Sequence, residues 1–377
     1  MMYCKKCVQP DTRPGLVFDA EGVCAACRYQ EETARIDWNE RERQLREIAE
    51  WARGKASRGF DCIVGVSGGK DSLFQALYAR DRLRLKTLLV NCAPDAITEV
   101  GRLNLENLVQ HGFDMISFRP NPRVVRELVK RSFIDHGNPV KPTEYSLFAV
   151  SYEAALRFGV PLVVQGENPG STLGVVESIP PGDDALMIKD HNTLAGGNAS
   201  DWIQDGIELR DLQFYQFPDL AELGRAGIRA IWLGYYAKEW SYSANTQFAV
   251  DHGLRGRPGH DPTLTGRLNP YSSIDSDMQI VNQMLKFYKF GFGLITDEVC
   301  YYIREGRMSR EEAAKLVERY DGKCDERYVR EFCEYIGMNE EEFWRVTERW
   351  VNKRLFEKDS TTRRWKPKFE VGRDFQV

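Results

Sequence analysis

The residues best suited to chemistry form a short glycine-rich segment directly after an apolar run. The run Asp61–Val66 is followed by Ser67–Ser72, with the sequence SGGKDS, and a helical pattern then begins. Glycines let backbone N–H groups converge on an anion, a lysine adds charge, and the helix N-terminus points its dipole there. Walker A is excluded, since the glycine spacing is one residue short and Asp71 stands where a hydroxyl is required. The segment predicts a phosphate site of another class, with a tight turn without a ligand as the alternative.

Each residue of this segment has an expected role. Lys70 would neutralise phosphate charge, and Asp71 would hold Mg²⁺ or the turn itself. Both are expected at the exposed edge of a sheet rather than in the core. The residues expected to contact the phosphates are Gly65, Val66, Ser67, Gly68, Gly69, Lys70, Asp71 and Ser72.

Four cysteines near the N-terminus have metal-ligand spacing. Cys4 and Cys7 form one CxxC pair, and Cys24 and Cys27 form a second pair sixteen residues later. Two such pairs are typical of a tetrahedral Cys4 zinc site, which is structural because four thiolates leave no open position. A redox dithiol and unrelated buried cysteines are the alternatives. The remaining five cysteines lie in strand or helix patterns, where buried packing explains them: Cys62, Cys92, Cys300, Cys324 and Cys333.

Composition limits the class of protein. The chain has 377 residues and a formal net charge of -4, so nothing in its overall charge demands a nucleic acid or membrane partner. The start, MMYCKKC, lacks the apolar region of a signal peptide, and no apolar run reaches membrane-spanning length. We expect a cytoplasmic protein with cysteines as thiols or metal ligands.

Strand and helix patterns alternate through the middle of the chain, which predicts a doubly wound α/β domain with a parallel sheet. The predicted strands are Asp61–Val66, Leu85–Asn91, Met115–Phe118, Leu162–Gln165 and Ile228–Leu233. The predicted helices are Trp38–Arg53, Ser72–Arg82, Thr98–His111, Arg123–Asp135 and Thr143–Phe158.

Three domains follow from these patterns. They are a zinc ribbon at 1–35, the α/β domain at 36–275 with an irregular insertion at 171–219, and a helical domain at 276–377. Within the last, Asp297, Ser309 and Asn339 are expected to begin helices as N-caps.

The glycine segment resembles the signature of the PP-loop ATP pyrophosphatases, which is SGGxDS after the first strand of such a sheet. This resemblance implies ATP bound with Mg²⁺ and cleaved to AMP and pyrophosphate, with a carbonyl oxygen activated as an adenylate. Nucleotides in such sheets bind at the carboxyl ends of the strands. Val90 and Asn91, which end the second strand, are therefore expected to border the adenine.

A closer resemblance, over most of the chain, is to the N-acetyl sugar amidotransferases of bacterial surface-polysaccharide and nonulosonic acid synthesis. It is carried by the cysteine segments, VSGGKDS, QGENPG (Gln165–Gly170), YYAKEW (Tyr235–Trp240) and, most tellingly, the segment Leu285–Cys324. The resemblance implies conversion of an acetamido group on a sugar, such as a nucleotide-linked diacetamido uronic acid, to an acetamidino group.

Further site residues are expected at the carboxyl edge of the sheet. Gln165 and Gly166 end the fourth strand beside the nucleotide, and Glu167 and Asn168 follow next to the reacting groups. Glu167 would bind Mg²⁺ or orient ammonia, with a local turn cap as the alternative. Three lysines complete the set, each with a surface lysine as the alternative: Lys238 for phosphate, and Lys286 and Lys289 for an acidic sugar.

The nitrogen donor is expected to come from a separate protein. A glutaminase needs a nucleophilic cysteine, near the terminus or between glycines, and Cys4 already belongs to the metal pairs. The family resemblance likewise implies a glutaminase subunit and a cyclase-like partner that deliver ammonia.

Two other functions compete with this interpretation. A tRNA thiolase also combines a terminal zinc module with SGGKDS, and Cys92 would then carry sulfur or an iron–sulfur cluster. A zinc-containing scaffold without activity is the other alternative, against which the intact Lys70–Ser72 segment speaks.

Overall fold

A parallel sheet of five strands lies at the centre of the computed structural model, which describes residues 1–174, 184–190, 194, 196–204 and 206–376. The strands are β1 (Cys62–Gly65), β2 (Thr87–Cys92), β3 (Asp114–Phe118), β4 (Leu162–Gln165) and β5 (Arg229–Trp232). Their order is β3-β2-β1-β4-β5, and all neighbours are parallel. The order reverses between β1 and β4, so the loops after these strands open into one crevice.

Helices surround the sheet and form the C-terminal region. In chain order the described α-helices are α1 (Ala25–Glu32), α2 (Trp38–Lys55), α3 (Lys70–Leu77), α4 (Glu99–Gln110), α5 (Pro122–His136), α6 (Lys141–Phe158), α7 (Pro169–Leu173), α8 (Leu220–Ala226), α9 (Leu233–Tyr236), α10 (Tyr242–Asp251), α11 (Pro262–Thr265), α12 (Met278–Phe290), α13 (Leu294–Arg304), α14 (Arg310–Tyr320), α15 (Glu326–Ile336) and α16 (Glu340–Trp350). A π-helical turn, Tyr78–Arg82, extends α3. None of the described helices combines the length and apolar character needed to cross a membrane.

The two faces of the sheet bury different helices, because successive strand residues point to opposite sides. Cys62 and Val64 of β1 pack in one cluster with residues of α2 and α3. Ile63, between them, packs in a second cluster with Tyr152 and Ala155 of α6. The predicted doubly wound α/β class is therefore confirmed, with strand ends within two residues of those expected.

The C-terminal domain shares its core with the four-cysteine module. Ser309 and Asn339 cap α14 and α16 as predicted. The N-cap prediction for Asp297 is wrong: α13 begins at Leu294, and Asp297 lies in its first turn. The Asp321 carboxylate accepts from the N–H groups of Gly293 (2.7 Å) and Ile295 (3.1 Å), so a distant residue replaces the local cap.

The same domain contains an antiparallel hairpin that the sequence analysis missed, β6 (Phe356–Lys358) and β7 (Trp365–Pro367). Each of its strands has only three residues, which is too short for an alternating pattern to be recognised in the sequence.

Part of the predicted insertion at 171–219 lies outside the described residues, namely 175–183, 191–193, 195 and 205. Its described parts pack beside β5. The Asp184 carbonyl accepts from Trp232 Nε1 (3.0 Å), and the Ala185 N–H donates to the Ala230 carbonyl (3.0 Å). The bounds of the three domains stay predictions.

Candidate active site

The glycine segment forms the turn from β1 into α3, as predicted. Gly68 has φ of +84°, a left-handed conformation that a side chain would strain. Gly69 is the N-cap of α3 and has no side chain to accept from the first helical N–H groups. These donors and the positive end of the helix are therefore available to an anion.

Lys70 is bound to its neighbour in this turn. Its Nζ donates to both carboxylate oxygens of Asp71, at 2.8 and 2.7 Å, and Asn245 Nδ2 donates to Asp71 Oδ1 at 2.8 Å. Lys70 lies on the cleft wall at the edge of the sheet but is only 6% exposed, whereas the Asp71 side chain is 45% exposed. The cause is Tyr242, whose ring centroid lies 4.3 Å from Lys70 Nζ and covers it.

The sequence analysis missed both Asn245 and Tyr242. They lie on α10, which follows β5 at the carboxyl edge of the sheet. Helix α9 separates α10 from the end of β5, so no pattern of polar residues directly after a strand indicated them.

Glu167 and Asn168 follow β4 at the same edge. The Glu167 side chain is open to the cleft, although protein crowds around it. Reduced hydration and the Asp71 carboxylate raise the pKa of Glu167 to about 7, against the lowering effect of Lys70. Asn168 is buried, and its Nδ2 donates to the Gly234 carbonyl (2.9 Å) and to the Tyr29 hydroxyl (3.2 Å). Asn168 thus joins the ends of β4 and β5 to helix α1.

Other residues expected near the nucleotide lie beneath the turn. Val90 and Asn91 are buried and do not line the cleft. Asn91 Nδ2 donates to the Val66 carbonyl at 2.8 Å, which fixes the start of the turn. Gln165 is buried, while Gly166 lines the cleft. A Cβ on Gly166 would lie 2.2 Å from Gln75 Cδ, so a side chain there would require Gln75 to move.

These groups line a cleft of about 960 Å³, and residues of the other two domains also form its wall. The N-terminal module contributes Arg13 and Gly15, and the C-terminal domain contributes residues of α12 and α13. The predicted residues on its wall are Ser67, Gly69, Lys70, Asp71, Ser72, Gly166, Glu167, Asn168, Lys238 and Lys286.

The three predicted lysines have different surroundings. Lys238 is exposed in the cleft. Lys286 Nζ lies 2.5 Å from Asp297 Oδ2 and 4.6 Å from the centroid of the Phe292 ring. Lys289 is not part of the cleft wall, and its Nζ donates to the His136 carbonyl at 2.6 Å.

Asp297 also pairs with Arg13, so two cations share one carboxylate in the cleft. Burial raises the pKa of Asp297, but the charges of Arg13 and Lys286 outweigh it and hold that pKa below its usual range.

The four N-terminal cysteines form a buried cluster that fits a single metal ion. Their Sγ atoms all lie within 4.8 Å of one another. The Cys4–Cys27 and Cys7–Cys24 sulfurs are 4.0 and 3.8 Å apart. Tetrahedral Zn–S bonds of about 2.3 Å place sulfurs about 3.8 Å apart, whereas a four-iron cluster with one thiolate per iron needs wider spacing. The backbone N–H of Cys24 also points to Cys4 Sγ (3.3 Å), as expected around a thiolate.

The cysteine module is docked on the C-terminal domain. Arg310 Nε, on α14, donates to the carbonyls of Cys7 (3.0 Å) and Cys4 (3.3 Å). The metal site and the cleft wall therefore belong to one packed unit.

Comparison with known proteins supports the resemblance in the C-terminal part. Residues 265–370 match the family model described as LPS biosynthesis protein WbpG-like, C-terminal domain. This span contains Leu285–Cys324, the segment that carried the closest resemblance, and the resemblance is confirmed there. No curated protein matches the chain in sequence at a significant level.

Two solved structures show weak likeness to the chain. One is the NH3-dependent NAD synthetase from Campylobacter jejuni, with 14% identity, TM-score 0.28, and coverage of 51% of this chain and 92% of that one. The other is the U34-tRNA thiolase NcsA from Methanococcus maripaludis with its [4Fe-4S] cluster, with 13% identity, TM-score 0.27, and coverage of 84% and 89%. These scores are too low to establish a shared overall arrangement.

Proposed function

We propose that this protein, with its WbpG-like C-terminal domain, is an ATP-dependent amidotransferase that converts an acetamido group of a bacterial sugar to an acetamidino group. The observation that carries the proposal is the shared cleft. The phosphate-binding turn, Glu167 and residues of the WbpG-like domain face one another across it. The product would serve surface polysaccharide or glycan synthesis.

The chemistry explains the use of ATP. An amide oxygen is a poor leaving group, so it must first be activated. Its attack on the α-phosphate of ATP forms an imidoyl adenylate and releases pyrophosphate. Ammonia then adds to the imidoyl carbon, and AMP leaves with the former amide oxygen. The enzyme contributes mainly positioning and neutralisation of developing charge.

The chain's own residues fit these tasks. Lys70 and the N-terminus of α3 would hold the departing pyrophosphate. With its pKa raised to about 7, Glu167 can accept a proton from the attacking ammonia near neutral pH. Lys238, exposed in the cleft, would neutralise phosphate charge.

Two metals belong to the proposal. Mg²⁺ would supply charge neutralisation on the phosphates, with Asp71 as the carboxylate of the turn that faces the cleft. Zn²⁺ would hold the module of Cys4, Cys7, Cys24 and Cys27 together, because that segment has little core of its own.

The acceptor would be an acetamido sugar with acidic groups, bound between the sheet and the C-terminal domain. Lys286 lies on that wall of the cleft and can contact a carboxylate or diphosphate. Lys289 lies outside the wall of the cleft, so we assign it no contact with the sugar.

Ammonia would come from a separate glutaminase with a cyclase-like partner. None of the nine cysteines lies between two glycines, and four of them form the metal pairs. The isolated chain should therefore use ammonium but not glutamine. Since NH3 is the reactive species and ammonium has a pKa of about 9, activity with ammonium should increase with pH.

A tRNA thiolase is less compatible with the surroundings of Cys92. This thiol is buried and donates to Ser146 Oγ at 3.4 Å. Burial raises the pKa of Cys92 to about 11, which disfavours the thiolate that sulfur transfer needs.

The direct test is incubation with ATP, Mg²⁺, ammonium and a panel of acetamido sugars, followed by mass spectrometry. Replacement of a carbonyl oxygen by NH lowers the mass by about one unit, and AMP and pyrophosphate should appear in equal amounts. ADP and phosphate as the nucleotide products would contradict the proposal, and so would thiolation of tRNA in a parallel incubation with tRNA and a sulfur donor.

A further inference from the structure

Glu298 is a buried acidic residue of α13 with no role in the chemistry above. It is 1% exposed. Its Oε2 accepts from the Leu268 N–H at 2.7 Å, and its Oε1 accepts from the Tyr242 hydroxyl at 2.9 Å. Both oxygens thus accept hydrogen bonds, and Glu298 anchors the hydroxyl of the tyrosine that covers Lys70.

Tyr242 is held firmly in this position. Its hydroxyl also contacts Ser272 Oγ at 2.6 Å. Its ring stacks on Tyr301 with centroids 5.1 Å apart and planes 3° apart. A ring fixed at both its edge and its face has one orientation toward the Lys70 ammonium, 4.3 Å from its centroid.

Helix α10 reaches the turn through two residues three positions apart, which share one helix face. Tyr242 covers Lys70, and Asn245 donates to the Asp71 carboxylate at 2.8 Å. The start of α10 is also bonded to the C-cap residue of α13, since the Ser243 N–H donates to Glu305 Oε1 at 3.2 Å. One carboxylate on α13 and one at its C-cap therefore hold α10, the helix that contacts the turn.

We propose that Glu298 and Tyr242 are positioning residues for Lys70, so that the C-terminal domain sets the geometry of the phosphate site. The inference rests on the proposed use of ATP at this turn. Neither residue needs to touch the reacting atoms. Its consequence is that affinity for the terminal phosphates of ATP depends on a hydrogen bond that α10 donates to a carboxylate of the WbpG-like domain.

The test compares the binding of two nucleotides by calorimetry. Tyr242→Phe keeps the ring and removes its anchor, and Glu298→Gln keeps the shape and removes the charge. Each should weaken the binding of a non-cleavable ATP analogue about ten-fold, the usual effect of losing a hydrogen bond to a charged group. AMP lacks the phosphates that Lys70 holds, so its affinity should not change. The double variant should lose no more affinity for the ATP analogue than either single variant, since both substitutions break the same hydrogen bond.

Tyr328→Phe is the matched control. Tyr328 is a buried tyrosine of the C-terminal domain whose hydroxyl accepts from Arg327 Nη2 at 2.6 Å, away from the cleft. This variant should bind both nucleotides like the wild type, and melting temperatures should show that all variants are folded.

Three outcomes would overturn the inference. One is unchanged affinity for the ATP analogue in folded Tyr242→Phe. Another is an equal loss for AMP and the ATP analogue, which indicates general damage to the cleft. The third is a wild-type protein that binds no ATP analogue. That result would overturn the proposed function together with the inference, whereas the first two results would overturn the inference alone.

Discussion

Arg13 of the cysteine module forms an ion pair with Asp297 of α13 at the wall of the cleft. The two residues are 284 positions apart in the chain. The module is therefore not a separate appendage, because one of its side chains forms part of the wall of the cleft that also contains the SGGKDS turn. Substitutions that disturb the module should therefore alter the wall of the cleft.

The first prediction concerns the metal. Cys24→Ser should release zinc, because three thiolates and a neutral hydroxyl hold the ion far less well than four thiolates. Metal content by mass spectrometry and limited proteolysis of residues 1–35 are the measurements. Cys333→Ser, at a buried cysteine outside the cluster, should keep its zinc. Full retention of zinc by Cys24→Ser, or iron and sulfide in protein purified without oxygen, would refute the assignment.

The second prediction concerns the shared carboxylate. Asp297→Asn leaves Arg13 and Lys286 facing each other without their common partner. Because the three side chains are largely buried, the free energy of unfolding should fall by about 2 kcal/mol in urea titration. Glu106→Gln, in the exposed pair with Arg102, should change it by less than about 0.5 kcal/mol. Equal effects of the two substitutions would mean that the cleft pair is no more important than a surface pair.

The third prediction concerns the turn itself. Lys70→Met fills the buried space of the aliphatic stem but lacks the charge, so it should fold and lose pyrophosphate release by at least about a hundred-fold. Asp71→Asn should have a similar effect. Lys86→Met removes a surface lysine that contacts the Phe60 ring and should stay active. Substantial activity in Lys70→Met would place the phosphates elsewhere.

The fourth prediction concerns pH. With the pKa of Glu167 near 7, the carboxylate form should increase through neutral pH, and pyrophosphate release at constant NH3 concentration should rise with it. Glu167→Gln should lack this inflection. A pH profile measured for both proteins is the test, and an identical inflection in the variant would assign the titration to another group.

The raised pKa of Glu167 also predicts how the stability of the folded protein depends on pH. An unfolded glutamate has a pKa of about 4.3, so folded Glu167 binds its proton more tightly, and ionisation works against the fold. Between about pH 4.3 and 7 the wild type should therefore lose stability relative to Glu167→Gln as pH rises. The difference should be small, because the side chain is open to water in the cleft.

Much of the fold could be predicted because its signals are local. Each buried strand is an apolar run, and each long helix has its own periodic face, so the five strands and their order of appearance follow from the sequence. The failures are also instructive. The Asp297 N-cap was a reasonable local prediction, but Asp321, brought near by tertiary packing, satisfies the same helix.

The sequence by itself determined the chemistry that depends on neighbouring residues. The two CxxC pairs and the SGGKDS turn each place their groups within a few residues, where chain geometry alone brings them together. Only the tertiary structure decided which residues complete the site. Tyr242 over Lys70, Glu298 behind Tyr242 and Arg13 beside Asp297 are contacts between distant segments. Their formation depends on how the domains pack, and no spacing along the chain encodes that directly.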